Sequence, residues 1–222
     1  MIRDTDISIS CLIRGERREI LMPDWGMAWS FVNFARFMKP ANKWVRLVDI
    51  GACCGAFTLP VVNSTPTSRI VCVEPSSWSW PYLEANTKGI DGLAIIKAAA
   101  SDKEETLTLS MPPVDKEARI GVETVYGTGG FAQTVPAYPL DDIVNEPIDL
   151  IKIDVEGHEI PVINGARRLI AEYRPDLLVE IKEVRQGPAG HVGHHVIRDI
   201  IRLGYGFPKG LTHHDFLFEW GQ

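Results

Sequence analysis

Val45-Arg46-Leu47-Val48-Asp49-Ile50-Gly51-Ala52-Cys53-Cys54-Gly55-Ala56-Phe57-Thr58 runs from aliphatic and β-branched residues through an acid, into a loop with glycines four apart, and on into a segment able to be helical. That order predicts a strand, a tight turn and a helix start. A βα turn of this kind lies at the carboxyl end of a parallel strand, the edge at which open α/β sheets bind ligands. Gly51 and Gly55 carry no Cβ, so the backbone there can bend sharply and approach a ligand closely.

Downstream, Arg69-Ile70-Val71-Cys72-Val73-Glu74-Pro75 reads as a second buried strand ending in an acid. An acid about twenty residues after the glycine turn is placed to accept hydrogen bonds from ribose hydroxyls. Pro75 stops the strand and leaves the carboxylate on the ligand edge. A dinucleotide fingerprint needs a middle glycine to admit the pyrophosphate. Cys53 stands there instead, which disfavours NAD and FAD. Asp49 at the strand end also suits a cationic ligand better than a diphosphate. S-adenosylmethionine, with a sulfonium, an ammonium and no phosphate, meets both conditions.

The 222 residues fit one domain with a substantial core, and 45% hydrophobic with 23% charged content is that of a soluble globular protein. A formal charge of -6 argues against loose binding to nucleic acid. The charged N-terminus is followed by no apolar run that would serve as a signal or membrane span, so a cytoplasmic protein without a membrane partner is expected. Cys11, Cys53, Cys54 and Cys72 lack the spacing of a zinc site and read as reduced thiols. No metal is expected.

In chain order, 7–13 and 19–22 suggest an N-terminal hairpin, and Trp29, Phe31, Phe34, Ala35 and Met38 recur at helical spacing before Pro40, a stripe read as core. We divide the chain into a hairpin-and-helix cap, 1–44, and a single globular unit, 45–222. Ser76 or Ser77 is placed to cap a helix that Gly89 ends, and Trp78 within it reads as core rather than as an adenine platform. Residues 93–100 read as a third strand, with Ser101 and Asp102 at its ligand end, and 105–111 as an added strand. The stretch 112–130 has little regular pattern and is a candidate substrate lid.

The most informative polar stretch is Ile148-Asp149-Leu150-Ile151-Lys152-Ile153-Asp154-Val155-Glu156-Gly157-His158-Glu159. Lys152 interrupts an otherwise apolar buried strand, and period-two alternation would put Lys152, Asp154 and Glu156 on one side. A buried ammonium needs a nearby carboxylate. Glu180, inside the next strand 177–181, is the expected partner, either in a functional site or in a purely structural ion-paired seam. One helix, 157–169, is expected between the two strands. His191, His194 and His195 lack companion ligands for a metal, and His191 reads as a solvated helix start. Residues 205–208 and 215–220 look like a last antiparallel pair of strands.

Alternating strands and helices closed by that pair predict an α/β fold, a Rossmann-like seven-stranded mixed sheet with helices on both faces. On VDIGACCGAFTLP, VEP, AAASD, PLDDIV, IDLIKIDVEGHEIPVINGARRLI and RPDLLVEI, the chain from about 45 to 220 resembles the FkbM-type branch of the class I S-adenosylmethionine-dependent methyltransferases. The resemblance implies that Asp49, Gly51, Ala52 and Gly55 form a methionine-binding loop, that Glu74 with Pro75 serves the ribose, that Ser101 meets the adenine edge, and that Asp154 lies beside cofactor and acceptor. It implies O-methylation of a hydroxyl on a small molecule such as a sugar or natural product. Asp154 or Glu156 would take or orient the proton, with His158 a third candidate and Lys152 keeping the carboxylates charged. The family commonly has asparagine where this chain has Cys53, and a thiol bonds less well than an amide. The alternatives are a catalytically inactive nucleoside-binding module of the same fold and a nucleic-acid methyltransferase. The Asn-Pro-Pro-aromatic type of signature common in amino methyltransferases of nucleic acids is missing after the fourth strand.

Overall fold

The computed structural model describes residues 7–37, 45–64, 69–110, 125, 132–182 and 193–221. The chain begins with an antiparallel hairpin, β1 (Ile7–Ile13) and β2 (Glu16–Met22), and a helix, α1 (Trp25–Phe37). Next come β3 (Arg46–Ile50), α2 (Thr58–Ser64), β4 (Arg69–Val73), α3 (Trp80–Thr87) and β5 (Leu93–Ile96). A small sheet follows, made of β6 (Ala99–Ser101), β7 (Glu105–Ser110) and β8 (Ala132–Pro139). The last part contains α4 (Leu140–Ile143), β9 (Leu150–Ile153), α5 (Glu159–Asn164), α6 (Arg167–Tyr173), β10 (Asp176–Glu180), α7 (Gly193–Arg202), β11 (Lys209–Gly210) and β12 (Asp215–Phe218).

The principal sheet has seven strands in the order β11-β12-β10-β9-β3-β4-β5. Strands β5, β4, β3, β9 and β10 are parallel, and β12 and β11 close the edge antiparallel. The order reverses between β3 and β9, so their carboxyl ends form the switch-point crevice in which such sheets bind ligands.

Alternation along the strands sorts the core into two layers. Val48, Ile50, Ile151, Ile153, Leu177 and Val179 join one apolar cluster, with residues of α5, α6 and α7. Leu47, Ile70, Cys72, Leu150, Leu178 and Leu217 join the other, with the hairpin, α1, α2 and α3. On this second face Asp49, Lys152, Glu180 and Asp215 stand at the alternate positions where further apolar residues would be expected. The N-terminal hairpin and helix therefore cover the face of the sheet that carries its buried charges.

Several elements differ from those expected. The third strand splits after Ile96: Glu74 N–H donates to the Ile96 carbonyl at 3.0 Å as β4 ends, and Ala99–Ser101 pairs instead with β8 in the small sheet. Strand β8 itself was not anticipated, because Pro136 and Pro139 disguise its alternation. The single helix expected over 157–169 is two, α5 and α6. The Gly165 carbonyl accepts from Asp141 N–H at 2.9 Å rather than continuing the helix, and the Asp141 carboxylate takes the Arg168 and Leu169 N–H groups at 2.8 and 3.0 Å. Gly165 also lies against the Ser101 carbonyl, where a Cβ would come within 1.9 Å. Neither Ser76 nor Ser77 caps α3: the Ser76 carbonyl accepts from Ser79 and Trp80 N–H in a preceding turn, and Ser77 is bonded to Gln133.

Trp78 packs against the apolar core, as read. At the C-terminus, Tyr205 bridges Trp220 and β11 is confined to Lys209–Gly210, so the antiparallel pair is present but shorter and later. Most of the candidate lid 112–130, together with Met38, Pro40 and His191, lies outside the described residues, Val125 excepted.

Candidate active site

The glycine turn is fixed by backbone bonds. Gly51 N–H donates to the Val73 carbonyl at 2.9 Å, and Gly55 N–H to the Ala52 carbonyl at 2.8 Å. Gly51 has φ +77°, and a Cβ on it would stand 1.8 Å from the Asp154 carbonyl oxygen. A side chain at 51 would therefore drive the β3 and β9 ends apart. Cys53 has φ +50°, a left-handed conformation in which asparagine is enriched among non-glycine residues. This gives a backbone reason for asparagine at that place, beyond what its amide could bond. The Cys53 thiol faces Met27 Sδ and Ser79 Oγ at 3.9 and 3.8 Å, and its N–H donates to Glu74 Oε2 at 2.8 Å.

Glu74, 5% exposed, accepts a second backbone bond on Oε1, from Ser76 N–H at 2.8 Å. Two backbone donors thus hold one buried carboxylate at the end of β4.

The charged positions on the covered face meet at the ends of β3, β9, β10 and β12. Asp49 and Lys152 are direct neighbours in the register, and the same pairing places Cys72 on the other side of Asp49. Lys152 Nζ lies 3.1 Å from Asp154 Oδ2 and 3.6 Å from Asp49 Oδ1, while Thr58 Oγ1 donates to Asp49 Oδ2 at 2.5 Å. Burial works to lower the Lys152 ammonium, but the two carboxylates outweigh it and leave the group raised above the ordinary lysine value. Burial likewise pushes against ionisation of Asp154; Lys152, a hydrogen bond from Glu180 and the charge of Lys182 hold it below the usual carboxylate range. Asp49 is raised by burial.

Lys152 therefore pairs with Asp49 and Asp154, and the expected ion pair with Glu180 is not made. Glu180 stands two residues beyond Leu178, which is opposite Lys152, and pairs with Lys182 at 2.7 Å. Lys182 also holds Glu156 at 2.9 Å. Burial and the neighbouring Asp154 carboxylate raise Glu180 well above the usual range. Glu156 does not continue the strand alternation: the chain turns there, with Glu156 at φ +52°, and the carboxylate reaches this group by way of the turn. Asp215, opposite Glu180 on β12, accepts from Thr212 Oγ1 at 2.5 Å and is raised by burial.

A cavity of about 1020 Å³ opens over these strand ends. Of the residues singled out from sequence, Gly51, Ala52, Glu74 and Pro75 line one part, and Lys152, Asp154, Glu156 and His158 another. Asp49, Gly55 and Ser101 lie behind the wall rather than in it. Asp49 is committed to Thr58 and Lys152. The Ser101 hydroxyl, fully buried, donates to Glu105 Oε1 at 2.9 Å and lies 3.2 Å from His158 Nε2. His158 is held below its ordinary value by burial, against the pull of Glu105 and Asp102.

Glu180, read as a possible partner of Lys152, also lines the cavity, as do residues that the sequence reading left without a site role: Asp215, and Met27, Ser30 and Phe34 of α1. The ring of Phe34 meets Phe57 edge-on at 4.9 Å. For Glu180 and Asp215 the signal was a carboxylate at the end of an apolar strand. For α1 there was none, since its stripe is indistinguishable from core. The carboxyls of Asp154, Glu156 and Glu180 each offer an oxygen within 4.8 Å of the others, the spacing a cation would need. Lys152 and Lys182 already provide positive charge to that group.

Comparison with known proteins agrees with this architecture. The family described as the Methyltransferase FkbM domain matches residues 49–208. The methyltransferase sdnD of Sordaria araneosa is 26% identical over 179 residues, 65% of this chain and 68% of that one. Among solved structures, the methyltransferase FkbM of Methylobacillus flagellatus KT superposes with a TM-score of 0.54 at 19% identity, over 78% of this chain and only 42% of its own. Aeropyrum pernix fibrillarin, solved in complex with natively bound S-adenosyl-L-methionine, gives 0.54 at 13% identity over 97% and 82%. The chain belongs to the FkbM methyltransferase family, and its fold is that of the class I methyltransferases. Among the described residues no helix is long and apolar enough to cross a membrane.

Proposed function

We propose that this chain transfers the methyl group of S-adenosylmethionine to a hydroxyl oxygen of a small molecule, such as a sugar or natural-product scaffold. One observation carries the reading: a single cavity joins the glycine turn and Glu74 to a group of strand-end carboxylates ordered by lysines. Both ends face one continuous space, in which cofactor and acceptor would meet.

The cofactor's ribose diol fits Glu74, and Ala99, Ala100 and Leu109 beyond it form a slot of small and apolar side chains suited to a flat base. Gly51 and Ala52 would hold the methionine half, and the cofactor would supply an activated methyl group, leaving as the thioether once the acceptor oxygen has taken the methyl. Asp154 would orient the acceptor hydroxyl and take its proton. Alignment supplies most of the rate in such a displacement. Lys152 and Glu180 fix the Asp154 carboxylate, and Glu156 is fixed by Lys182. A phosphate-rich acceptor would meet this carboxylate row unfavourably, which favours a small neutral or cationic acceptor over nucleic acid. Four free cysteines suit a reducing compartment, the cytoplasm.

The test is release of S-adenosylhomocysteine during incubation with a panel of polyols and hydroxylated scaffolds. Asp154→Asn should lower turnover by about 10²–10⁴-fold while cofactor affinity holds. Unchanged turnover removes Asp154 from the mechanism, and methyl transfer only to amines would overturn the oxygen acceptor.

A further inference from the structure

Asn86 of α3 stands outside the cavity wall and is 2% exposed, yet its amide makes three backbone bonds to two distant parts of the chain. Oδ1 accepts from Leu21 N–H and Nδ2 donates to the Leu21 carbonyl, both at 2.8 Å, so one side chain pairs with the outer edge of β2 as a neighbouring strand would. The other Nδ2 proton goes to the Cys54 carbonyl in the glycine turn, at 2.8 Å. Two donors and one acceptor are used at once, and the reverse amide orientation would set like against like at all three. Among the described residues β2 pairs with β1 alone, and a two-stranded hairpin is marginal without further support. Arg18, bonded to the Lys88 carbonyl at 2.9 Å, and Arg14 N–H, bonded to Asn63 Oδ1 at 3.1 Å, tie the hairpin down at exposed positions. Asn86 does so from within the core.

The same line of contact continues into the cavity. Cys54 Sγ lies 3.5 Å from Met22 Sδ, and Cys53 Sγ 3.9 Å from Met27 Sδ. Asp24 caps α1 by accepting from Met27 N–H at 3.0 Å, so the strand that Asn86 holds also sets where α1 begins. Farther along α1, Phe34 meets Phe57, whose ring centroid is 6.0 Å from Lys152 Nζ. The helix thereby reaches from the glycine turn to the lysine-held carboxylates. We propose that Asn86 is a positioning residue that couples the glycine turn to the N-terminal cap: with cofactor in the turn, the Cys54–Asn86–Leu21 tie fixes β2 and α1, and with them the wall of Met27, Ser30 and Phe34 against which the acceptor lies. This rests on the reading of the cavity given above. Such coupling is reciprocal, so whatever order the occupied turn confers on the cap, loss of the tie is felt in cofactor affinity by the same factor. The acceptor's wall is then most ordered when the methyl donor is in place.

The experiment measures amide hydrogen exchange in β2 and α1 with and without saturating S-adenosylhomocysteine, in the wild type, Asn86→Asp and Arg18→Ala, with affinities by calorimetry. In the wild type the ligand should slow exchange at Leu21 and in α1 by about fivefold or more, the lower end of ordinary coupling between sites. Asn86→Asp keeps the size and the acceptor for Leu21 N–H but loses both donors. There the slowing should fall below about twofold, and affinity should weaken by about fivefold. Arg18→Ala, which removes an exposed tie, should behave as the wild type. Wild-type protein that binds S-adenosylhomocysteine with unchanged exchange in β2 and α1 overturns the inference, and that comparison depends on no variant. So does an Asn86→Asp protein that keeps the slowing, or an Arg18→Ala protein that loses it to the same extent, since any hairpin tie would then serve. Folded wild-type protein that does not bind S-adenosylhomocysteine overturns instead the cofactor reading on which the inference rests.

Discussion

The two ends of the cavity hold their carboxylates by opposite means. At the β4 end one acid, Glu74, accepts from two backbone N–H groups, Cys53 in the turn after β3 and Ser76 in the turn after β4. At the β9–β10–β12 end Asp154, Glu156 and Glu180 are held by the side chains of Lys152 and Lys182. Backbone donors come with the loop and cost the fold no buried cation. Lysine ammoniums bring a desolvation penalty that only their partners offset. On the proposed reading the first end is a binding device whose loss is felt mainly by the ligand, and the second is part of the core, whose loss is felt by the fold as well.

The largest expected effect breaks the second end. Lys152→Met keeps the aliphatic stem but leaves the buried Asp49 and the partly exposed Asp154 without their ammonium, and should lower the unfolding free energy by about 3 kcal/mol in denaturant titrations. A loss below about 1 kcal/mol would mean that Lys182 and the Thr58 hydroxyl suffice for those carboxylates, and the distinction between the two ends would fail.

Glu74→Gln probes the other end. It should weaken S-adenosylhomocysteine binding by about ten- to a hundredfold, the value of a hydrogen bond to a charged group, measured by calorimetry. Its stability should fall by no more than about 1–2 kcal/mol, for the mismatched backbone donor. A reversal of this pattern, with stability lost and affinity kept, would show that both ends are structural.

A smaller effect is expected from pH. Burial and Asp154 raise Glu180 above its ordinary value of 4.5. A raised carboxyl lends its stability in full below the ordinary value and loses it as pH rises through the folded value. Between about pH 5 and 9 the wild type should therefore lose on the order of 1 kcal/mol relative to Glu180→Gln. Asp154, held low, acts in the opposite sense and only as pH falls below its ordinary 3.8. Parallel stability curves for the two proteins between about pH 5 and 9 would remove Glu180 from the coupled group.

The smallest is Cys53→Asn. The left-handed backbone at Cys53 favours asparagine by about 0.5 kcal/mol, which should raise Tm by roughly 1–2 °C in a chain of this size. A lower Tm would show that the thiol's contacts with Met27 and Ser79 matter more than its backbone.

The same contrast explains what was legible in the sequence. Glu74 and the glycine turn are local: a strand, an acid, a proline and two glycines lie within about thirty residues, and each has a single conformational meaning. The seven-stranded sheet followed from apolar runs and the order in which they alternate with helices. Partners in the lysine-held group depend instead on register between strands far apart in the chain. Glu180 is one strand end away from Lys152 in sequence logic, but the register sets it opposite Asp215 and beside Lys182. Tertiary hydrogen bonds were equally illegible: the Asp141 carboxylate that divides α5 from α6 is 26 residues upstream of Arg167, and no helix propensity announces it. Ser101 was located correctly at a strand end, but the direction of its hydroxyl was decided by Glu105 and His158.

The contact between Gly51 and the Asp154 carbonyl has a consequence for the history of the fold. With no room for even a methyl group between them, the turn proposed to receive the cofactor and the strand end proposed to meet the acceptor share one rigid seam. Neither can drift without the other, so descendants of this chain that come to accept new substrates must vary elsewhere: along α1, where Met27, Ser30 and Phe34 line the cavity outside the ion-paired group.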